Sequence, residues 1–292
     1  MTYDEIRKHK HTAILLNQNN GFAELYDLDK PALDAESLLA SYDTGYATGL
    51  KVRYSRAFGG YSLFVSTEGA AVFSLESCRK LWEAPAYGDN AHSVEWIEQY
   101  GILCIACSTG ASVLFYRPDC PAEPFATLPL PDAHGVLWDE ARQLLWAAGL
   151  DKLVQIQMAE QGPLLLKEYR MPQGYGAAHD LSAVYGAPDR LWVTCNQGKR
   201  VLQFDKTKET FLVDYPGSDI IPCGVYHKGI GNDQDGSMAW LYPDGRLHDS
   251  KYHKNASWLT DRISFYNGIH LRVLVSRTGL FYKLRICNAD YQ

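Results

Sequence analysis

Short apolar runs alternate with polar turns along most of the chain, and the same succession of runs returns every 42 to 45 residues. Each unit has a short strand that opens on a histidine, a turn, a continuously apolar strand, a tight polar turn and an alternating strand. A weaker fourth strand precedes the next unit. The clearest units begin at 91–116, 133–157 and 178–204. Four short strands per repeat of this length are typical of a β-propeller blade.

Two divergent units, 49–75 and 224–247, bring the series to five. The N-terminal segment 11–42 supplies strands two to four of a further unit and lacks its first strand, whereas the strand at 279–287 resembles a first strand and has no hairpin after it. The pattern therefore predicts an all-β, six-bladed β-propeller closed by a 3+1 clasp between the C-terminal strand and the N-terminal hairpin. It spans 1–292 as a single domain. Seven blades would result if 262–276 formed a blade of its own.

Composition and charge narrow the classes of partner. The net charge of −6 disfavours sequence-independent nucleic-acid binding, because phosphate backbones need a basic face. The N-terminus is charged where a signal peptide would be apolar, and no stretch approaches the roughly 18 apolar residues of a membrane span. We therefore expect a cytoplasmic monomer with no nucleic-acid or membrane partner. Seven scattered cysteines favour free thiols over a disulfide framework.

A family resemblance rests on three features of the sequence: the repeat openings AHS, AHG and AHD, the segment HGVLWDEARQLLW around 132–146, and the terminal FYKLR. They resemble a bacterial propeller family classed as a domain of unknown function, which implies the fold without an established activity. A more distant similarity is to oligogalacturonate lyase. That resemblance implies histidines from separate blades that hold a divalent metal near an acidic sugar. The Trp-Asp pair of WD40 repeats and the Gly-Gly pair of kelch repeats do not recur here.

His92, His134 and His179 occupy the same position in three successive units, at the start of the strand that lines a propeller channel. We expect them to gather at one mouth, where three imidazoles could hold a divalent metal (manganese, zinc or calcium) with a vertex left for water or substrate. Two alternatives stay open. Each histidine could be a structural staple to the backbone of the adjacent blade, or His134 and His179 could act on substrate together with Lys283 as catalytic groups.

Cationic pairs on two channel strands form a second candidate feature. Lys51 with Arg53, and Lys283 with Arg285, each share one face of a strand, and the clasp would make these strands neighbours. Such pairs repel unless an anionic ligand or nearby carboxylates offset them. Glu95, Asp139 and Asp180 are the candidate carboxylates. The predicted substrate-binding residues are Lys51, Arg53, Glu95, Asp180, Lys228 and Arg285.

These features support one leading function and two alternatives. The leading hypothesis is that the protein binds a small anionic or sugar-acid ligand of the uronate type at the channel mouth. In one version it also processes this ligand, as a metal-assisted lyase or hydrolase. The first alternative is a non-catalytic propeller scaffold for protein–protein interaction. The second is a lactonase-like hydrolase with Glu95, Asp180 and Asn196 as metal ligands. The sequence contains no nucleophile elbow, P-loop or dinucleotide fingerprint, and it leaves open whether the protein is an enzyme.

Overall fold

The computed structural model describes residues 1–84, 90–159 and 161–291. Within them lie 24 strands in six four-stranded antiparallel sheets and one short helix, α1 (Tyr3–Ile6). The protein is therefore an all-β, six-bladed propeller, as the repeat predicted. None of its described helices is long and apolar enough to cross a membrane.

The strands are numbered along the chain, and each blade is given from its innermost strand outward. Blade 1 contains β24 (Phe281–Ile286), β1 (Thr12–Asn17), β2 (Phe22–Asp27) and β3 (Leu38–Asp43). Blade 2 contains β4 (Gly49–Ser55), β5 (Gly60–Ser66), β6 (Ala70–Ser74) and β7 (Lys80–Ala84). Blade 3 contains β8 (Ala91–Ile97), β9 (Ile102–Cys107), β10 (Ser112–Tyr116) and β11 (Ala126–Pro129).

The other three blades follow the same order. Blade 4 contains β12 (Gly135–Asp139), β13 (Leu144–Ala148), β14 (Lys152–Ala159) and β15 (Gly162–Arg170). Blade 5 contains β16 (Ala178–Ala183), β17 (Arg190–Cys195), β18 (Arg200–Asp205) and β19 (Thr210–Leu212). Blade 6 contains β20 (Gly229–Asn232), β21 (Met238–Leu241), β22 (Arg262–Tyr266) and β23 (Leu271–Val275).

The clasp joins the two ends of the repeat series. Strand β24 pairs antiparallel with β1, with Leu284 opposite Leu15 and Ile286 opposite Ala13, so the last strand is innermost in the first blade. This confirms the 3+1 arrangement. The segment 262–276 supplies the outer two strands of blade 6, which rules out the seven-bladed alternative. A long connection, 242–261, separates those strands from β21.

The core lies between the blades. Six buried apolar clusters each join two neighbouring sheets around the ring. Trp146, Trp192 and Trp240 fill two of these interfaces, the first between blades 4 and 5 and the other two between blades 5 and 6, because a bulky ring spans the gap between twisted sheets. Cys104 and Cys107 point to opposite faces of β9, as the alternation of a strand predicts. All seven cysteines are free thiols.

Two leucines test how strongly the clasp stabilises the ring. Leu284 on β24 is fully buried between blades 6 and 1, whereas Leu271 on the outer strand β23 is 51% exposed. Leu284→Ala should lower the free energy of unfolding by about 2–5 kcal/mol through lost apolar contact and the cavity left behind. Leu271→Ala should change it by about 0.5 kcal/mol or less. Urea unfolding followed by tryptophan fluorescence measures both, and equal losses would contradict the role given to the clasp.

Candidate metal site at the channel mouth

β-Bulges interrupt three of the six inner strands at the same mouth of the channel. His92 is the extra residue of β8, His179 is the extra residue of β16, and β24 carries its extra residue at Tyr282 and Lys283. A bulge re-aims a side chain that strict alternation would send to the opposite face. As a result, adjacent residues on β16 and β24 both face the channel.

The rings of His92 and His134 are oriented by their own turns. Asn90 and Asp132, two residues before each histidine, have positive φ angles of 52° and 51°. Their carbonyl oxygens lie 2.9 Å from Nδ1 of His92 and of His134, and they accept the Nδ1–H. Asp132 Oδ1 is also 3.2 Å from the Nδ1 of His134. Donation from Nδ1 leaves the Nε2 lone pair free, which is the usual arrangement of a metal-binding histidine.

His179 is held differently. Its Nε2 lies 3.0 Å from Lys228 Nζ and 3.3 Å from the Tyr282 hydroxyl, while its Nδ1 is buried and has no partner among the described residues. A buried polar atom without a partner costs free energy. This nitrogen therefore needs a ligand that the chain itself does not supply.

The three histidines come together as predicted. One ring nitrogen from each lies within 4.8 Å of those of the other two, and all three side chains are buried. A tetrahedral zinc ion with bonds of about 2.0–2.1 Å places nitrogens roughly 3.3 Å apart, so modest ring rotations would close the site. The group could hold a metal. The bonds from His92 and His134 run to their own turns, not to the adjacent blade as the staple alternative expected.

The electrostatics keep two of the three imidazoles neutral, those of His92 and His179. Burial, together with the charges of His134 and Lys283, lowers the pKa of His92 to about 3. Burial and the charge of Lys228 hold the pKa of His179 well below its usual value. Burial also lowers the pKa of Lys228 to about 8. Neutral imidazole is the form that binds metals, so neither His92 nor His179 has to lose a positive charge before it binds one.

Below the histidines lies a layer of buried ion pairs. Arg53 donates from Nε and Nη2 to the two oxygens of Glu95 at 2.9 and 3.0 Å. Arg285 pairs with Asp180 in the same bidentate way, with Nη1 2.7 Å from Oδ2. Burial opposes ionisation of Asp180, but the charges of Arg285 and Lys283 lower its pKa to about 2. The pairing of the cations with Glu95 and Asp180 is one of the two alternatives that the sequence left open.

The two lysines of this layer differ in their contacts. Lys283 Nζ lies 3.2 Å from Asp180 Oδ1 and donates to the carbonyl oxygens of His92 and His179 at 3.2 Å, which places it directly beneath the triad. Lys51 Nζ lies 3.7 Å from Glu95 Oε2, too far for a hydrogen bond. Asp139, the third candidate carboxylate, pairs instead with Lys206 at 2.7 Å, away from the channel.

The predicted site residues therefore separate into two layers. The mouth layer contains His92, His134, His179 and Lys228. The deeper layer contains Lys51, Arg53, Glu95, Asp180, Lys283 and Arg285, all buried. Sequence reasoning missed Tyr282, whose hydroxyl contacts His179. It adjoins Lys283, and strict alternation would have turned it away from the channel.

The two mouths of the channel differ in character. On the histidine side, the connection 242–261 reaches over blade 1, where Tyr46 contacts the rings of Tyr252 and His253. At the opposite mouth lies a cavity of about 530 Å³ whose lining includes Glu98, Glu140 and Tyr291. Its carboxylates disfavour an anionic ligand, so the histidine mouth, where Lys228 and Lys283 lie, is the better candidate for one.

Comparison with known proteins supports the fold and goes no further. No protein-family model and no curated protein matches the sequence. A protein of unknown function from Bacteroides caccae is similar in structure, with a TM-score of 0.61, 13% identity, and 94% of this chain and 97% of that chain covered. A chain from a nidogen/laminin complex has a TM-score of 0.61 at 9% identity and covers 96% and 99%. A chain from a mitotic checkpoint complex has a TM-score of 0.54 at 10% identity and covers 93% and 76%.

At these identities the similarity is one of fold alone. None of the three is described as an oligogalacturonate lyase, so that resemblance stays an expectation from the sequence. The chain is a six-bladed β-propeller whose structural neighbours include an uncharacterised bacterial protein.

Proposed function

We propose that the protein binds a divalent metal ion through His92, His134 and His179 and uses it to hold a small anionic ligand of the sugar-acid class. The observation that carries the proposal is the convergence of one ring nitrogen from each of three consecutive blades within 4.8 Å. Two of the rings are pre-oriented, and the third has a buried nitrogen without a partner.

The donor set favours particular metals. Three neutral imidazoles suit zinc and also suit manganese, whereas calcium prefers six to eight oxygen ligands. Of the three metals that the sequence suggested, zinc and manganese therefore fit better than calcium. Three protein ligands leave a coordination position for a ligand oxygen, as in catalytic zinc sites.

The surroundings of the triad favour an anionic, hydroxylated ligand. Lys228, half-buried beside His179, can pair with a carboxylate, and Lys283 adds positive charge from below. Gln18 and Asn196 lie in turns that rim the same mouth, and the side-chain carbonyl oxygen of each is buried without a partner among the described residues. Such oxygens accept hydrogen bonds from sugar hydroxyls. A uronate offers both a carboxylate and hydroxyl groups.

A lyase version assigns roles to the chain's own residues. A metal would polarise the ligand carboxylate, and this acidifies the adjacent carbon. In this proposal His134 and His179 serve as metal ligands, and Lys283 is fully buried beneath them. Lys228 is then the better base in this proposal, because a pKa of about 8 suits proton abstraction near neutral pH. Tyr282, whose pKa is raised by burial, keeps its proton and can donate a hydrogen bond.

A second candidate function is protein binding. Leu164, Leu165 and Leu166 on β15, the outer strand of blade 4, are each about half exposed at 51, 45 and 50%. An apolar outer edge strand can pair with a strand of another chain. The structural neighbour from the nidogen/laminin complex shares the fold only and identifies no partner.

The metal proposal predicts a thermal response. For chelator-treated protein, zinc or manganese at about 100 times its dissociation constant should raise the melting temperature by roughly 5 °C, because the ion binds only the folded chain. His134→Ala should abolish that rise. His270→Ala removes an exposed histidine on blade 6 and serves as the matched control, so it should respond as the wild type does. No response of the wild type to either metal would show that the triad is structural.

The ligand proposal predicts a preference for acid over neutral sugar. Calorimetry on the metal-loaded protein should show galacturonate binding more tightly than galactose. Lys228→Met should weaken galacturonate by about tenfold or more, the usual size of a lost charge-assisted hydrogen bond, and should leave galactose unchanged. Lys167→Met, on the exposed face of β15, is the control and should bind as wild type does. Equal affinity for the two sugars would refute the sugar-acid assignment while leaving the metal site standing.

A further inference from the structure

The deeper layer of the channel contains more positive than negative charge. Lys51, Arg53, Lys283 and Arg285 are buried there, with exposures of 4, 1, 0 and 6%, against two carboxylates, those of Glu95 and Asp180. Each carboxylate already accepts a bidentate arginine. Uncompensated charge in a protein interior is costly. The described residues supply no third anion for this layer.

One donor of this layer lacks an acceptor, and a second has only a long ion-pair contact. Arg285 Nε is buried and has no hydrogen-bond partner among the described residues. Lys51 Nζ has Glu95 as its ion-pair partner only at 3.7 Å. Both residues line one small cavity within the channel, whose other walls include Arg53 and Ser182. The unsatisfied nitrogen of Arg285 and three of the four buried cations therefore border a single space.

The size of the cavity restricts what can occupy it. Its volume is about 20 Å³. A cavity of about 10–15 Å³, measured in the same way, holds one water molecule, so this space accepts a particle slightly larger than water. This small volume favours a monatomic anion over a sulfate, a phosphate or the carboxylate of a sugar acid. A monatomic anion would also offset the excess charge, which water cannot do.

We propose that a halide ion, chloride under ordinary conditions, binds in this cavity between Lys51 and Arg285 as an integral part of the channel. The site is separate from the histidine triad and does not depend on a bound metal. It gives the predicted anion-binding role of these cations a definite ligand class: a small inorganic ion held inside the channel. The sugar acid of the proposed function would remain at the mouth.

The pKa of Lys51 agrees with a halide ion at this place. In the protein alone, burial and the charges of Arg285 and Arg53 outweigh Glu95 and Asp180 and lower its pKa to about 7. A halide beside Nζ favours the ammonium form, because an opposite charge at contact distance raises the pKa of a lysine. Ser182, Tyr185 and Asn288 are the uncharged polar residues of the lining.

Bromide provides a direct test, because it replaces chloride and scatters anomalously. Crystals of the wild-type protein grown in sodium bromide should show an anomalous peak inside the cavity, in contact with Lys51 and Arg285. Density there without an anomalous signal would mean that water fills the space, and this result would overturn the proposal.

A solution experiment checks that binding is not confined to crystals. With EDTA present and ionic strength held constant, replacing gluconate by chloride or bromide should raise the melting temperature by about 2–4 °C in a saturable manner. Lys51→Met should remove the saturable part whatever its own melting temperature. Lys206→Met, which removes a buried lysine paired with Asp139 outside the channel, should retain it. A wild-type curve without saturation would contradict the proposal, and EDTA makes this result independent of the metal site.

Discussion

Ring closure is the constraint on which the rest of the structure depends. A propeller has no central core, and each sheet buries its faces only against its two neighbours. The six apolar clusters lie between blades, so opening the ring at one interface exposes the facing surfaces of two sheets. The interface between blades 6 and 1 contains Leu284 and Phe281 of β24. The backbone pairing of β24 with β1 therefore maintains every other interface by fixing the size of the ring.

Strand β24 also links closure of the ring to the candidate metal site. Tyr282 reaches His179, Lys283 lies beneath the triad, and Arg285 neutralises Asp180. The histidines come from the three consecutive strands β8, β12 and β16, and β24 lies across the channel from β12. The mouth layer is thus built from both sides of the ring. The channel therefore has two layers. The histidines at the mouth can accept a metal, whereas the layer below them consists of buried ion pairs.

The repeat predicted the blade count, the clasp and the gathering of three histidines, because all three follow from periodic positions. It did not predict which carboxylates pair with which cations. The partner of Asp139 turned out to be Lys206, and this depends on side-chain reach between blades, which no period encodes. Tyr282 was missed because a β-bulge depends on hydrogen-bond register, which the alternation of apolar and polar residues does not show. The connection 242–261 was equally invisible because it has no counterpart in the other units.

The position of β24 also governs when the site can exist during protein synthesis. The other twenty-three strands precede it in the chain, so the ribosome makes the innermost strand of the first blade after all of them. Until then Asp180 is buried among neighbours that lack Lys283 and Arg285, and β1 presents an unpaired edge to the channel. An incomplete chain therefore holds an open-edged ring in which Asp180 lacks its two ion-pair partners, and a chaperone could recognise such a ring. Arrival of the last strand closes the ring and pairs Asp180 in one step.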